Sequence, residues 1–381
     1  MRGAGVTDNQ PIPLSRPDIT DVERDAVLAV LRTDNLSLGP KLGEFEKAMA
    51  DYVGTGHAVA VNSGTSALHL AMLACGIGPG DEVITTPFSF IASANCALFV
   101  DAKPVFVDID EATLNITADS IESVVTERTK AILPVHVFGR PCEMRSIQKV
   151  AERYNLDVIE DSCEALGARI DGKHAGTWGR CGTFAFYPNK QITTGEGGIL
   201  VTDDEEAAQL ARSLRNQGRS TMSRWLQHER LGYNYRLSDI ACALGIAQLS
   251  RIGEILNRRT WVAERYLEHL ADIPDVIPPS PPQNGLEISW FVFVIRLSDR
   301  LAGKRDEVMK RMLEGGIATG AYFSPLHLQP VYSDRFGYTE GDFPVTEKVS
   351  NSTMALPFFT RMTEEQIARV CDTLRSVLGS I

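Results

Sequence analysis

The chain has 381 residues, of which 44% are hydrophobic and 23% charged, and its net charge at pH 7 is -11. This length exceeds what one hydrophobic core usually holds, so two domains are expected. The composition is that of an ordinary globular protein, and the negative charge argues against a nucleic-acid-binding surface, which needs clustered Lys and Arg.

The cysteines and the N-terminal residues bear on the compartment. The seven cysteines are scattered, odd in number and without a CxxC pair, which is typical of reduced thiols rather than of disulfides or a zinc site. Residues 1–10 lack the apolar stretch of a signal peptide, and no uncharged apolar run approaches the roughly 18 residues of a membrane span. We therefore expect a cytoplasmic protein with no membrane segment and no bound metal.

In chain order, a capping box at Thr20–Glu23 predicts a helix through about Leu31, and a second helix is expected at Lys41–Tyr52. Apolar strands then alternate with helices, which indicates a mainly parallel sheet covered on both faces. The connection from 188 to 197 is too short for a crossover helix, so one strand should be antiparallel. The predicted strands are near 57–62, 82–86, 104–108, 131–135, 157–161, 183–187 and 198–202, and the helices between them include 65–76, 89–99, 117–125, 143–154 and 204–216.

The C-terminal part of the sequence predicts a smaller domain. A long helix from about Ser250 leads out of the sheet, and the proline-rich residues 274–282 are interpreted as a linker. We place the large domain at residues 1–250 and a small α+β domain at residues 251–381. The elements expected there are a β run at Ser289–Arg296, a helix near Lys304–Glu314, a strand near Ala318–Ser324 and a final helix capped by Thr363.

The most informative stretch runs from Asp157 to Gly198. Asp157–Asp161 is a short apolar strand that ends in carboxylates, and Lys190 follows a second apolar strand in a glycine-rich loop. Pyridoxal 5'-phosphate (PLP) chemistry needs such a pair. The lysine amine forms a Schiff base with the cofactor aldehyde, and the aspartate keeps the pyridine nitrogen protonated. Taken alone the pair is a weak signal, since a loop lysine is usually a solvated charge.

The residues around this pair are more specific. The motifs VIEDSCEALGA at Val158–Ala168, FYPNK at Phe186–Lys190 and GEGG at Gly195–Gly198 closely resemble those of the DegT/DnrJ/EryC1/StrS family. The resemblance extends from about Ile12 to the last helix. It implies a PLP-dependent sugar aminotransferase of fold type I. That fold has a large α/β domain with a seven-stranded, mostly parallel sheet and a smaller α+β C-terminal domain.

The resemblance also implies where the cofactor is bound. Its phosphate would sit at Gly64 and Thr65, where a helix N-terminus exposes free N–H groups, although an ordinary strand–helix turn would look the same. Phe90 would stack on the pyridine ring, unless it is simply a core residue. Many relatives carry a phosphate-binding Ser at the position of Ala185, so Ser63, Thr65 or a backbone amide must bind that oxygen here.

Two residues near the expected reaction centre distinguish this sequence. Glu164 occupies a position where relatives often have Gln or His beside the cofactor's phenolic oxygen. A glutamate there would be repelled by a phenolate unless it is protonated or turned away. A dehydratase branch of the family carries His in place of the lysine, so Lys190 favours amino-group transfer, with the lysine also moving the proton.

A further segment, Gly232–Leu237, resembles a loop that crosses into the partner subunit. Asn234 would touch the partner's cofactor phosphate and Arg236 its substrate, so that a homodimer would share its active sites. Without the resemblance, this segment would be interpreted as a surface loop.

The remaining candidates are less specific. Ala321–Leu328 matches a substrate-facing segment, in which Tyr322 and His327 would face the substrate, although His327 could equally be a core residue. His136 is expected to be structural. Arg215 and Arg219 could bind phosphates, but arginines at helix ends are usually solvated.

The sequence therefore predicts an aminotransferase that uses glutamate or glutamine to aminate a nucleotide-linked keto-sugar, for polysaccharide or natural-product sugar biosynthesis. A 4-keto-6-deoxyhexose is favoured, with a 3-keto-sugar as the close alternative. A keto-cyclitol such as scyllo-inosose, or aromatization of an amino-shikimate-like ring, would suit the same scaffold. A PLP-binding regulator without turnover is the rival of another class, and the intact Asp161 and Lys190 and the lack of a basic patch argue against it.

Overall fold

A computed structural model of the chain describes residues 10–220, 227–283 and 285–381. The helices are α1 Asp21–Leu31, α2 Pro40–Val53, α3 Gly64–Ala74, α4 Ala92–Leu98, α5 Ala118–Glu122, α6 Met144–Tyr154, α7 Glu205–Arg215, α8 Asp239–Ser250, α9 Ile252–Leu270, α10 Arg305–Glu314, α11 Pro330–Phe336, α12 Pro344–Ser352 and α13 Glu364–Gly379. The strands are β1 His57–Val61, β2 Glu82–Thr85, β3 Lys103–Phe106, β4 Thr129–Ile132, β5 Asp157–Asp161, β6 Arg169–Ile170, β7 Lys173–His174, β8 Cys181–Ala185, β9 Gly198–Thr202, β10 Val276–Ile277, β11 Leu286–Glu287, β12 Phe293–Leu297 and β13 Thr353–Leu356.

The largest sheet has seven strands in the order β1-β9-β8-β5-β4-β2-β3. Strand β9 runs antiparallel to both of its neighbours, β1 and β8. The other four pairs, β2–β3, β2–β4, β4–β5 and β5–β8, are parallel. The predicted seven-stranded sheet with one reversed strand is therefore confirmed, because the short segment between β8 and β9 can only turn the chain back on itself.

Both faces of this sheet are covered. Along β1, Val59 and Val61 belong to one buried cluster with the side chains of α3. The alternate residues Ala58 and Ala60 belong to another cluster with Phe45 of α2. This two-residue alternation is what a strand buried on both sides requires. The carboxyl ends of β1, β2, β5 and β8 meet at one edge, where open α/β sheets commonly bind their ligands.

The C-terminal part has its own small sheet, with the order β10-β12-β13. Helices α9, α10 and α13 contribute side chains such as Tyr266, Met312 and Leu374 to one buried cluster with Phe293 of β12. Ile12, near the start of the chain, belongs to the same cluster. The second core agrees with an α+β unit, and the boundary at residues 250 and 251 stays a prediction.

The C-terminal strands differ from the prediction. The strand expected at Ala318–Ser324 does not form, because β13, which was not predicted, pairs with β12 along Phe293–Arg296. In place of a strand there are isolated bridges, Gly320 to Ala355 within the expected segment and Ile12 to Ile317 just before it. The strand expected at Ser289–Arg296 begins at Phe293, because Ser289 and Phe291 donate backbone hydrogen bonds to Gly139 and Phe138 instead.

Helix α8 and a third sheet complete the fold. Helix α8 was not predicted, because its residues are mostly apolar or small with no clear polar face. Strands β11, β6 and β7 form a further short antiparallel sheet. All seven cysteines are free thiols, and only Cys163 is not fully buried. Within the described ranges, no helix combines the length and apolarity that crossing a bilayer demands.

Candidate active site

A cavity of about 520 Å³ opens at the carboxyl edge of the large sheet. It brings together seven of the ten predicted site residues, from segments that lie far apart in the sequence. These are Gly64, Thr65, Phe90, Asp161, Glu164, Lys190 and Tyr322. The cavity is thus a candidate active site, and the individual roles stay predictions.

Asp161 is the last residue of β5 and only 4% exposed. Its Oδ2 atom accepts a 2.7 Å hydrogen bond from Ser93 Oγ, and its Oδ1 atom accepts a 3.1 Å bond from the Cys163 N–H. Ser93 Oγ in turn lies 2.9 Å from Ser89 Oγ. Both carboxylate oxygens therefore have fixed partners, and the group is oriented within the cavity wall as a buried negative charge.

Lys190 lies in the turn after β8, where its N–H donates to the Tyr187 carbonyl at 2.9 Å. Its Nζ atom is 3.7 Å from Glu164 Oε1 and 3.8 Å from the centroid of the Phe291 ring. The lysine side chain is largely enclosed, and its amine faces the same cavity as Asp161. A primary amine in such a place can attack a carbonyl or move a proton.

Glu164 is buried, and its Oε2 atom accepts a 2.8 Å hydrogen bond from the Phe138 N–H. Burial raises the pKa of its carboxyl above the ordinary value, and the nearby Lys190 ammonium opposes that shift. The structure therefore places this carboxylate toward Lys190 and not away from the cavity.

The N-terminus of α3 forms one wall of the cavity. Ser63 caps the helix, its Oγ accepting from the Ser66 N–H at 3.1 Å. A Cβ atom on Gly64 would lie 2.7 Å from the Ala185 Cβ, so only glycine allows this close approach. Gly198 is constrained in the same way, since its Cβ would lie 2.4 Å from the Ser63 carbonyl carbon. These contacts bring the first turn of α3, with its free N–H groups, against the ends of β8 and β9.

Aromatic residues surround the cavity. Phe90 is 62% exposed, so a face of its ring is available to a ligand, and it is not a core residue. On the side of the C-terminal part, Tyr322 and Phe323 line the cavity, and Phe323 is stacked on Phe138 at 5.4 Å. Burial and the Glu164 carboxylate raise the pKa of the Tyr322 hydroxyl.

Asn234 and Arg236 do not line the cavity of their own chain. The Asn234 side chain is exposed, and its backbone oxygen accepts from Asn62 Nδ2 at 3.3 Å. Arg236 Nη1 donates to Asn216 Oδ1 at 3.0 Å. Their predicted contacts would have to be made in another subunit, and these roles stay predictions.

The structure corrects the expectation for His327. This residue is 0% exposed and does not line the cavity. Its Nε2 atom lies 3.0 Å from Glu347 Oε1, and its ring packs edge-on against Phe343 at 4.7 Å. The backbone explains the burial, because the Leu326 N–H donates to the Pro87 carbonyl and draws this turn into the protein. His327 is therefore packed inside the protein, in contact with Glu347 and Phe343.

The other candidates also have structural contacts. His136 is fully buried, with Nε2 2.9 Å from Glu160 Oε2 and Nδ1 accepting from the Cys142 N–H, which confirms its structural role. Arg215 is buried, contacts Glu46 and donates to the Ala60 carbonyl at 2.7 Å. Arg219 does not line the cavity.

The predicted site residues did not include Ser93, Phe138 or Phe291. Ser93 and Phe291 line the cavity, and the Phe138 N–H donates to Glu164. These three residues come close to the site only in the folded chain.

Comparison with known proteins agrees with this arrangement. The family model "DegT/DnrJ/EryC1/StrS aminotransferase family" matches residues 17–375. GDP-perosamine synthase from Caulobacter vibrioides is 42% identical over 376 residues, which are 98% of this chain and 100% of that protein.

Two solved structures are similar along their whole length. Helicobacter pylori PseC, an aminotransferase involved in the biosynthesis of pseudoaminic acid, has a TM-score of 0.92 at 28% identity, covering 98% of this chain and 100% of that one. Spr1654 from Streptococcus pneumoniae, in its PLP-form, has a TM-score of 0.92 at 28% identity, covering 97% and 99%. The chain is an aminotransferase and belongs to the DegT/DnrJ/EryC1/StrS family.

Proposed function

We propose that this aminotransferase uses PLP to convert the ketone of a nucleotide-linked sugar into an amine, with glutamate or glutamine as the amino donor. The observation that carries the proposal is that Asp161 and Lys190 line one cavity together with the N-terminus of α3. We place the enzyme in the cytoplasm, where its free cysteines would stay reduced.

The described residues fit the chemical demands of PLP. Lys190 offers an enclosed amine, and Asp161 offers a fixed carboxylate for a protonated ring nitrogen. Gly64 and Thr65, at the α3 N-terminus, offer backbone N–H groups and a dipole suited to a phosphate. The exposed ring of Phe90 offers a stacking surface. When bound, PLP supplies an electron sink and carries the amino group between donor and acceptor.

Each residue then has a defined task. Lys190 Nζ takes up and returns the proton at the reacting carbon, since its amine is held within the cavity. Asp161, held by Ser93 and the Cys163 N–H, would keep the ring nitrogen of bound PLP protonated through its buried carboxylate. Phe291, Tyr322 and Phe323 restrict the access of water on the side of the C-terminal part, which strengthens these electrostatic interactions.

Ala185 lacks the hydroxyl that many relatives place near the phosphate. Ser63 and Thr65 line the same wall and carry hydroxyl groups. The Ser66 hydroxyl donates to Asn62 Oδ1 at 2.7 Å, so the Ser63 hydroxyl donates to Ser66 Oγ, which is 2.9 Å away. Thr65 is therefore the better placed of the two to donate to a phosphate oxygen. We assign the missing contact to Thr65 and the α3 amides.

The homodimer is part of the proposal. Asn234 and Arg236 lie outside their own cavity, in a segment whose neighbour Leu231 is 87% exposed. Leu231 is thus an exposed apolar side chain, and the polar residues near it do not line the cavity of their own chain. Such a segment is typical of a surface that a second subunit covers. Asn234 would then reach the partner's phosphate site and Arg236 the partner's substrate.

The substrate class is inferred from the relatives and from the site. The name GDP-perosamine synthase belongs to a relative with 42% identity, which favours a nucleotide-linked sugar and makes GDP a candidate nucleotide. Tyr322 and Arg236 offer polar groups for a hydroxylated ring and a diphosphate, which needs only one or two arginines and oriented amides. We favour a 4-keto-6-deoxyhexose over a 3-keto-sugar or a keto-cyclitol such as scyllo-inosose.

The test is to incubate the purified protein, loaded with PLP, with glutamate or glutamine and a panel of GDP-, UDP- and dTDP-linked keto-sugars. Mass spectrometry should show the ketone replaced by an amine in at least one of them. Free hexoses and ordinary 2-keto acids should not be aminated, and Lys190→Ala should remove the activity. Turnover of scyllo-inosose with no reaction on any sugar nucleotide would overturn the substrate class. A protein with bound PLP and no turnover would favour the regulatory alternative.

A further inference from the structure

The amine of Lys190 lies between two groups that are themselves held in place. On one side is the Glu164 carboxylate, with Oε1 at 3.7 Å, and on the other is the Phe291 ring, with its centroid at 3.8 Å. The side chains of Lys190 and Glu164 are only 13% and 7% exposed. An ion pair so enclosed is much less screened by water and salt than a surface pair.

Glu164 is fixed by bonds at both its carboxylate and its backbone. Its Oε2 atom accepts from the Phe138 N–H at 2.8 Å, which leaves Oε1 facing Lys190. Its backbone oxygen accepts from Gln191 Nε2 at 2.6 Å, and the same amide donates to Ser289 Oγ at 2.9 Å. The carboxylate therefore has a defined orientation, and it cannot swing away without losing the bond from the Phe138 N–H.

Phe291 is fixed from the opposite side. Its N–H donates to the Phe138 carbonyl at 3.3 Å, and its own carbonyl accepts from Arg259 Nη2 at 2.6 Å. Arg259 Nε also donates to the neighbouring Trp290 carbonyl at 2.8 Å. The Phe291 ring thus closes the far side of the lysine amine, and a ring face also favours a cation over a neutral amine.

We propose that Glu164 is a positioning residue that supplies the counter-charge of Lys190 and thereby increases the affinity of the lysine amine for its proton. The proposal rests on the role given to Lys190 above. A lysine that moves a proton between two carbons must hold that proton while it is exchanged. A fixed carboxylate at 3.7 Å stabilises the ammonium form that does so. Passage of the proton from Lys190 Nζ to Glu164 Oε1 would leave a neutral pair with no change in net charge.

The surroundings of the pair support this role. Other ionisable groups on the cavity wall are Asp161, Cys163, Tyr187, Glu196 and Tyr322. Among the cavity-lining residues, all of them in the described ranges, Lys190 is the single Lys, Arg or His. Burial raises the pKa of Glu164, the Lys190 ammonium opposes the rise, and the Asp161 carboxylate adds to it. The Lys190 ammonium thus favours the carboxylate form of Glu164, and by reciprocity the carboxylate favours the ammonium.

The experiment measures the pH at which Lys190 becomes reactive. The full-length chain, freed of cofactor, is labelled briefly with a trace of acetic anhydride across a pH series. Mass spectrometry then gives the midpoint for the Lys190 peptide. In Glu164→Gln this midpoint should fall by about one pH unit or more, so that about tenfold more neutral amine is present at a given pH. Glu164→Asp, which keeps the charge, should shift the midpoint less.

Glu196→Gln is the matched control, because it removes a carboxylate from the same cavity that forms no ion pair with Lys190 within the described ranges. Its midpoint should stay close to that of the unchanged chain. An unchanged midpoint in Glu164→Gln, or an equal fall in Glu196→Gln, would overturn the proposal. Far-ultraviolet circular dichroism confirms that each variant is folded.

A second measurement covers the case in which Glu164→Gln fails to fold. In Lys190→Ala, infrared spectroscopy should show Glu164 protonated at a higher pH than in the unchanged chain, and no such rise would also overturn the pairing. Both measurements are made without cofactor or substrate. A failed pairing is therefore distinguishable from a failed assignment of the enzyme's activity.

Discussion

Ser93 Oγ donates a 2.7 Å hydrogen bond to Asp161 Oδ2, and this bond joins the start of α4 to the end of β5. Both side chains are buried, so the bond is made to a charged acceptor in a region with little water. The carboxylate proposed to hold the proton of the cofactor ring is thus oriented by a neighbouring element.

This relationship predicts an ordered pair of effects on turnover. Asp161→Asn removes the charge itself and should lower kcat by roughly 10²-fold or more. Ser93→Ala removes one hydrogen bond to that charge, which contributes about 1.5–3 kcal/mol, and should lower kcat by roughly 10- to 100-fold. Ser93→Thr should recover most of the loss. Steady-state kinetics on the same substrate checks the order, and near-normal rates in Asp161→Asn would refute its assignment.

The identity of the cofactor lysine is open to direct mapping. Borohydride reduction of the PLP-loaded protein, followed by digestion and mass spectrometry, should leave a pyridoxyl group on Lys190. The reason is that, among the residues that the structure describes, Lys190 is the single lysine that lines the cavity. Lys190→Ala should take up no stable label under the same conditions. A label on another lysine would show that the cavity has been assigned incorrectly.

The shared site predicts complementation between inactive subunits. Arg236→Ala and Lys190→Ala should each be inactive alone, because each would lack one contribution to every site. After subunit exchange, verified by mass, a mixed dimer should contain one intact site and recover a measurable part of the activity. The same should hold for Asn234→Ala mixed with Lys190→Ala. Exchange without recovery would place this segment in the site of its own subunit.

His327 is predicted to affect stability and not substrate recognition. His327→Ala leaves the Glu347 carboxylate without its 3.0 Å partner and should cost about 1–3 kcal/mol of stability. The melting temperature should therefore fall, while KM for the keto-sugar, measured well below it, stays close to normal. A large rise in KM with an unchanged melting temperature would restore the substrate-contacting role.

The buried carboxyl of Glu23 predicts how stability changes with acid. Burial disfavours its ionised form, but hydrogen bonds from Thr20, Gln248 and Arg251 outweigh that effect and lower its pKa to about 2 from the ordinary 4.5. Because the pKa of Glu23 is lower in the folded chain than its ordinary value, the ionised carboxyl stabilises the fold at a pH above about 4.5. This contribution is lost as the pH falls from about 4.5 through about 2. Urea unfolding across this range should show the difference between the unchanged chain and Glu23→Gln shrinking as the pH falls. A constant difference would contradict the shift.

Much of the large domain and the centre of the site could be predicted from the sequence. Short apolar strands alternating with helices leave few arrangements other than a parallel sheet, and the short segment after Lys190 forces one strand to turn back. Residues that follow parallel strands, such as Asp161 and Thr65, meet at one edge whatever the details of packing. Local sequence was therefore enough to group them, and the family motifs supplied their expected roles.

The tertiary structure decided what depends on contacts between distant segments. Helix α8 is mostly apolar with no marked polar face, and β13 is four residues long, so neither has a periodic pattern to detect. His327 was equally compatible with a cavity or a core until the Leu326–Pro87 hydrogen bond drew it inside. The orientation of Glu164 toward Lys190 likewise depends on the Phe138 N–H, which is 26 residues away and is brought close only by folding.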